Sequence, residues 1–308
     1  MVRSGKDVMT TSDSQRTSEG QGRVLFSKGN GGLSKLEINS AWSQAEIYLH
    51  GAHITHFQRN NEPPVLFMSQ KSKFNESTAI RGGIPVIFPW FGGREGHPAH
   101  GFARTQRWEL REISPRPGGA VTVRLTLPDS PAAAEYPKFS IEYAVTVGQT
   151  LAAELTVANL SQGKDFTFEN CLHTYFAIGD INAVSVTGLE GVDYLDKTEN
   201  FKRKTEPTGG IKISRETDRV YLGTTGPAEI HDAAQQRKIR IDKTGSRSTV
   251  VWNPWIEKAA QMGDFGADEY KKMICVESGN VGDNRITLAP GKSATLRVEI
   301  TTAPASER

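Results

Sequence analysis

The chain has 308 residues, and 37 Lys and Arg stand against 35 Asp and Glu, a net charge of +2. That balance excludes strong global attraction to nucleic acid or to an anionic membrane, while leaving room for a local arginine cluster. Hydrophobic residues make up 37% and charged residues 23%, as in ordinary globular proteins, and no apolar run approaches the length of a membrane span.

From the N-terminus, residues 1–23 are rich in Ser, Thr, Gly, Gln, Asp and Arg. They bury too little to offset ordering entropy and are predicted to be a disordered tail. They contain no secretory h-region, so the expected address is the cytosol. Two cysteines, Cys171 and Cys275, do not make a disulfide scaffold, and the reducing cytosol disfavours their pairing. The sequons at Asn75 and Asn159 then read as chance matches.

Residues 24–303 read as one domain, followed by a short tail over 304–308. The dominant period is two. Apolar residues alternate from Val121 to Leu127. They alternate again through Phe139, Ile141, Tyr143, Val145 and Val147, and, after the link Gly148-Gln149-Thr150, through Leu151, Ala153, Leu155 and Val157. The last two runs predict an antiparallel hairpin. A second hairpin is predicted between Arg285–Leu288 and Ala294–Thr301 across Ala289-Pro-Gly-Lys292. Helix signals are few: Ser130-Pro131 before Ala132–Glu135, and Asn253-Pro254 before Trp255–Met262. Many short strands with little helix predict an all-β protein, a large antiparallel β-sandwich.

Four segments depart from strand-and-turn text: Ala79–Gly92, His100–Arg104, Glu169–Tyr175 and Met273–Asn280. In the third, Phe166, Phe168, Leu172 and Phe176 share one parity, and Glu169, Cys171, His173 and Tyr175 the other. In the fourth, Ile274 and Val276 face one way, and Met273, Cys275 and Glu277 the other. His173 and Glu277 are therefore candidate acid/base groups, each weighed against an ordinary surface position. Arg81 precedes Gly82-Gly83 and Arg104 follows His100; both are candidate anion ligands, weighed against structural ion pairs. No βαβ unit surrounds the glycines, which excludes a nucleotide fingerprint. Cys171-x-His173 and Cys275-x-Glu277 are a poor match to structural zinc spacing, so no metal and no cofactor is expected.

Together with Val251–Lys258, these segments resemble, in order and from about Gly32 to Thr302, the glucose-6-phosphate 1-epimerase (hexose-6-phosphate mutarotase) family of the aldose 1-epimerase superfamily. The resemblance implies a large antiparallel β-sandwich. It implies a catalytic histidine at His173 in Cys-Leu-His-Thr-Tyr and a catalytic glutamate at Glu277 in Val-Glu-Ser-Gly-Asn. It implies substrate-binding arginines at Arg81 and Arg104, a sugar-binding aspartate at Asp218 and a second active-site histidine at His100. Some relatives carry a glutamine where this chain has Ala99. The implied activity is anomer exchange of a hexose 6-phosphate, with Glu277 removing the O1 proton and His173 protonating O5. The partner is a small sugar phosphate, with no nucleic acid and no membrane, and the protein is expected to be a monomer. A free-aldose mutarotase, a non-catalytic carbohydrate-binding sandwich using Trp90, Trp252 and Trp255, and a sugar-phosphate sensor are the competing readings.

Overall fold

The computed structural model describes residues 22–305. Most of the predicted N-terminal tail, residues 1–21, and the end of the C-terminal one, 306–308, lie outside the described residues. Both predicted tails reach slightly too far inward. A strand already begins at Arg23, and the Ser293–Pro304 strand takes in Pro304.

The period-two text folds as strands because alternate side chains have one apolar face to bury. In the predicted hairpin, Phe139–Val147 pairs antiparallel with Leu151–Asn159, placing Tyr143 opposite Leu155 and Val145 opposite Ala153. All four are buried. This pair belongs to an eight-stranded sheet whose order is Val184–Thr187, Ala228–Asp232, Arg237–Thr244, Ser293–Pro304, Leu151–Asn159, Phe139–Val147, Val121–Thr126 and Glu109–Pro115. A second eight-stranded sheet runs Lys202–Thr205, Asp193–Asp196, Thr217–Leu222, Ser248–Asn253, Met273–Asn280, Asn170–Leu172 and Val86–Ile87, with Tyr175–Ala177 also pairing on Met273–Asn280. A four-stranded meander, Arg23–Lys28 to His53–Arg59, completes the main layers. Residues from all three sheets, among them Ile47, Val145, Leu155, Leu172 and Val276, share one apolar core.

The second predicted hairpin does not form. Ser293–Pro304 has both hydrogen-bonding edges occupied, by Leu151–Asn159 and by Arg237–Thr244. Ile286–Leu288 therefore pairs with Phe166–Phe168 in a separate two-stranded sheet. Asn159 ties the loop before Phe166 to the end of Ile286–Leu288: its buried amide donates to Leu288 O and Lys164 O, both at 2.8 Å. A fully buried, hydrogen-bonded Asn159 is not a glycan acceptor.

The α-helix spans Trp255–Gln261. Asn253 Oδ1 does accept from Trp255 N at 2.9 Å, but the N-cap is Pro254 and not Asn253, so the helix begins one residue later than expected. The weaker helix signal yields a single 3-10 turn, Pro131–Ala133, and the Ser130 hydroxyl caps nothing.

The middle of the second sheet is buried on both faces, whereas its edge strand Lys202–Thr205 is mostly exposed. Every residue of Met273–Asn280 is buried. Ile274 and Val276 enter the core, while Met273 and Cys275 face an outer cluster with Phe67, Tyr175 and Trp252. The parity read from the sequence holds, and the polar groups of interest lie on that outer face.

Candidate active site

His173 sits at the break between Asn170–Leu172 and Tyr175–Ala177. Its backbone N–H donates to Pro85 O at 3.1 Å, and Tyr175 N donates to Gly83 O at 2.9 Å. The glycine-proline segment thus forms one wall of the strand break. Gly83 has φ +59°, and a Cβ there would lie 2.1 Å from Ile54 O, so only glycine fits. The imidazole stacks on Tyr175 with ring centroids 4.8 Å apart and meets Trp252 edge-on at 6.0 Å.

Glu277 lies on the adjacent strand, opposite Val250 in the pairing with Ser248–Asn253. It is only 1% exposed, which removes the surface-glutamate alternative. His173 Nε2 stands 3.4 Å from Glu277 Oε1, and Cys171 Sγ donates to Glu277 Oε2 at 3.5 Å. Two groups separated by 104 positions in the chain therefore touch (277 − 173).

Burial sets their proton affinities. It holds the His173 imidazole well below its ordinary value, with His100, Arg104 and Arg81 adding like-charge repulsion. It pushes the Glu277 carboxyl well above the carboxylate range, and the neighbouring Asp218 charge pushes the same way against Lys197. Burial thus favours neutral imidazole and protonated carboxyl. That state has the same proton count as imidazolium and carboxylate, from which it differs by one transfer.

His100 adopts φ +64°. Gly92 N–H donates to its Nδ1 at 3.3 Å, which leaves the ring proton on Nε2. Its ring meets that of His173 at 5.5 Å. Burial lowers it to about 3, so it is neutral near pH 7.

The two arginines occupy the same neighbourhood with different degrees of freedom. Arg81 donates from Nη1 to Tyr175 OH at 2.9 Å, and from Nε and Nη2 to Asp264 Oδ2 at 3.1 Å each. Tyr175 and Asp264 hold this guanidinium above its ordinary value, so it is always charged. Arg104 donates from Nη2 to Ala99 O at 2.8 Å, and burial lowers it to about 10. The backbone of Ala99, not its side chain, supplies that contact. The ion-pair alternative weighed for both arginines therefore holds in part for Arg81 and not for Arg104, which makes no salt bridge among the described residues.

Asp218 pairs with Lys197 Nζ at 2.9 Å, and Lys197 lies over the Phe91 ring at 5.3 Å. Of the three tryptophans, only Trp252 reaches His173. Trp90 packs on Phe102 at 6.2 Å, and Trp255 on Tyr270 at 5.2 Å. Every site residue named from the sequence thus lies in one connected neighbourhood. Lys197 and Asp264 were missed: Lys197 opens the 3-10 turn Lys197–Glu199, Asp264 lies between the α-helix and the next 3-10 turn, and neither segment has a periodicity to mark it. Cavities of about 760 and 570 Å³ lie elsewhere, against the four-stranded meander and beside Val184–Thr187, and hold none of these groups.

The family model for aldose 1-epimerase matches residues 34–301. This chain belongs to the aldose 1-epimerase family. It is 35% identical over 285 residues to a Cenchrus ciliaris protein named "Putative glucose-6-phosphate 1-epimerase", covering 89% of this chain and 86% of that one. An Escherichia coli K12 protein of the same name is 35% identical over 256 residues, 82% of this chain and 85% of the other. The crystal structure of a "putative mutarotase" from Salmonella typhimurium superposes with a TM-score of 0.84 at 30% identity, over 91% of this chain and 94% of that chain. The expected β-sandwich is therefore the fold of this family.

Proposed function

We propose that this protein interconverts the α and β anomers of a hexose 6-phosphate, with glucose 6-phosphate as the substrate, as the names of its relatives state for them. The observation that carries the reading is the 3.4 Å contact between His173 and Glu277. A pyranose opens when O1 loses a proton and O5 gains one, and both oxygens are bonded to C1. An acid and a base this close serve two atoms on one carbon within the usual reach of about 2.6–3.2 Å.

In the imidazolium–carboxylate state, Glu277 takes the O1 proton and His173 gives one to O5. The C1–O5 bond breaks, leaving an open-chain aldehyde, a protonated carboxyl and a neutral imidazole. That product state is the one burial favours. Rotation about C1–C2 presents the other carbonyl face. Closure then runs the transfers backwards: O5–H gives its proton to His173, O5 attacks C1, and Glu277 protonates O1. The pair ends as it began, with one proton between its two members.

Arg81 and Arg104 are assigned to the phosphate. Asp264 and Tyr175 pre-orient the first of them, so little ordering cost remains on binding. Holding the sugar by its sixth position leaves C1 free to rotate. Asp218 and Lys197 are assigned to ring hydroxyls, and neutral His100, with Nε2–H available, to a sugar oxygen. Residues 24–303 act as one catalytic domain.

The test is exchange spectroscopy by NMR on glucose 6-phosphate at anomeric equilibrium, with and without protein. Equal exchange rates in both samples reject the proposal. Faster exchange of free glucose than of glucose 6-phosphate would instead select a free-aldose mutarotase.

A further inference from the structure

The catalytic pair has a third neighbour that the reaction does not use. Cys275 lies two residues before Glu277 on the same face of the Met273–Asn280 strand, opposite Tyr175 in the pairing with Tyr175–Ala177. A ring nitrogen of His173, Cys275 Sγ and a carboxylate oxygen of Glu277 all lie within 4.8 Å of one another. Three atoms no further apart than that share a point no more than about 2.8 Å from each (4.8/√3). Zinc bonds measure about 2.0–2.3 Å to these atom types, so shifts of about 0.5–0.8 Å complete the contact.

We propose that His173, Cys275 and Glu277 form a capture site for a borderline-soft divalent cation of the zinc class, and that its occupation switches the enzyme off. One imidazole, one thiolate and one carboxylate are a mixed N, S and O set suited to Zn²⁺ or Co²⁺ and not to Mg²⁺ or Ca²⁺. Three protein ligands leave a fourth tetrahedral position open, on the side where the sugar would sit. Cys171 supports the arrangement from outside: its thiol holds Glu277 Oε2, turning Oε1 toward His173. One feature separates the set from a resident zinc site. His173 Nδ1 is buried and meets no acceptor, whereas a permanently metallated histidine is normally anchored through its second nitrogen. Capture is therefore reversible and inhibitory. On binding, Cys275 gives up its thiol proton and the pair gives up its shared proton. Both leave to solvent, and no oxidation is involved.

The inhibition half of the proposal rests on the mutarotase reading, while metal binding does not, so both are measured on the full chain. Zn²⁺ is titrated against a chromogenic chelator, Co²⁺ is followed by absorption, and exchange of glucose 6-phosphate is read across the same Zn²⁺ range. The expected result is one equivalent of Zn²⁺, a thiolate-to-Co²⁺ charge-transfer band, and loss of exchange at the binding midpoint, with Mg²⁺ and Ca²⁺ inert. Cys275→Ser keeps its basal exchange rate, loses the band and raises the Zn²⁺ midpoint at least tenfold. Cys171→Ser, whose hydroxyl can still donate to Glu277 Oε2, keeps the Co²⁺ band and a Zn²⁺ midpoint within about threefold of wild type. Equal Zn²⁺ sensitivity of Cys275→Ser and wild type overturns the proposal. So does absence of the Co²⁺ band in wild type, which needs no variant to fold. A protein that binds zinc but never accelerates exchange keeps the metal site and refutes the mutarotase reading instead.

Discussion

Replacing Glu277 by glutamine tests the chemistry and the energetics of the site together. The substitution keeps the shape of the side chain and one carbonyl oxygen beside His173, but the amide cannot accept a proton from O1. A general acid or base contributes about 10²- to 10⁴-fold, which at about 1.4 kcal/mol per decade is about 3–6 kcal/mol of barrier. Stability should move in the opposite direction. The carboxyl is fully buried and its folded pKa is raised. Its penalty is thus absent below the unfolded value of about 4.3 and grows as pH rises toward the folded value. Glutamine has no charge to lose. Glu277→Gln should melt above wild type at pH 8, and the gap should shrink toward pH 4. NMR exchange spectroscopy and thermal melts at both pH values measure the two effects. Exchange within threefold of wild type would refute the assignment of the base. A variant that is inactive and less stable at pH 8 would refute the burial argument.

Three further substitutions probe the surrounding groups. Arg81→Ala removes charge-assisted hydrogen bonds and should raise KM for glucose 6-phosphate about 10- to 100-fold, with little change toward glucose; equal effects on both sugars contradict a phosphate role. Asp218→Asn removes the negative charge that raises Glu277, so both limbs of the pH–rate profile should move to lower pH, and an unmoved profile breaks that link. Gly101→Ala would place a Cβ 1.9 Å from Phe88 O at φ +71°. It should cost about 2 kcal/mol or more by denaturant titration and reduce exchange, because His100 and Arg104 flank it. Wild-type stability in Gly101→Ala would show that this loop yields freely.

Much of the site could be read before the fold because strand parity is local information. His173 and Glu277 stand out as polar groups on faces whose alternate positions are apolar, and the structure buries both on the outer face of one sheet. Which strands would be neighbours was not legible. The Ile286–Leu288 strand lies close in sequence to Ser293–Pro304, yet pairs elsewhere because both edges of the latter are taken by distant segments. Lys197 and Asp264 were invisible for a related reason. Each belongs to a short connecting segment whose position is set by the elements around it, and its own residues carry no pattern. Arg81 read equally as an anion ligand or as half of an ion pair from its glycine-proline setting, and the sequence could not show that its partner is Asp264, 183 residues away.

The placing of Ser293–Pro304 between Leu151–Asn159 and Arg237–Thr244 has a consequence for biosynthesis. One of the two large sheets receives a middle strand that comes later in the chain than every other strand of that sheet. While that segment is still inside the ribosomal tunnel, two strand edges stand open and the core is unsealed. The nascent chain stays exposed to chaperones and proteases until that strand is in place.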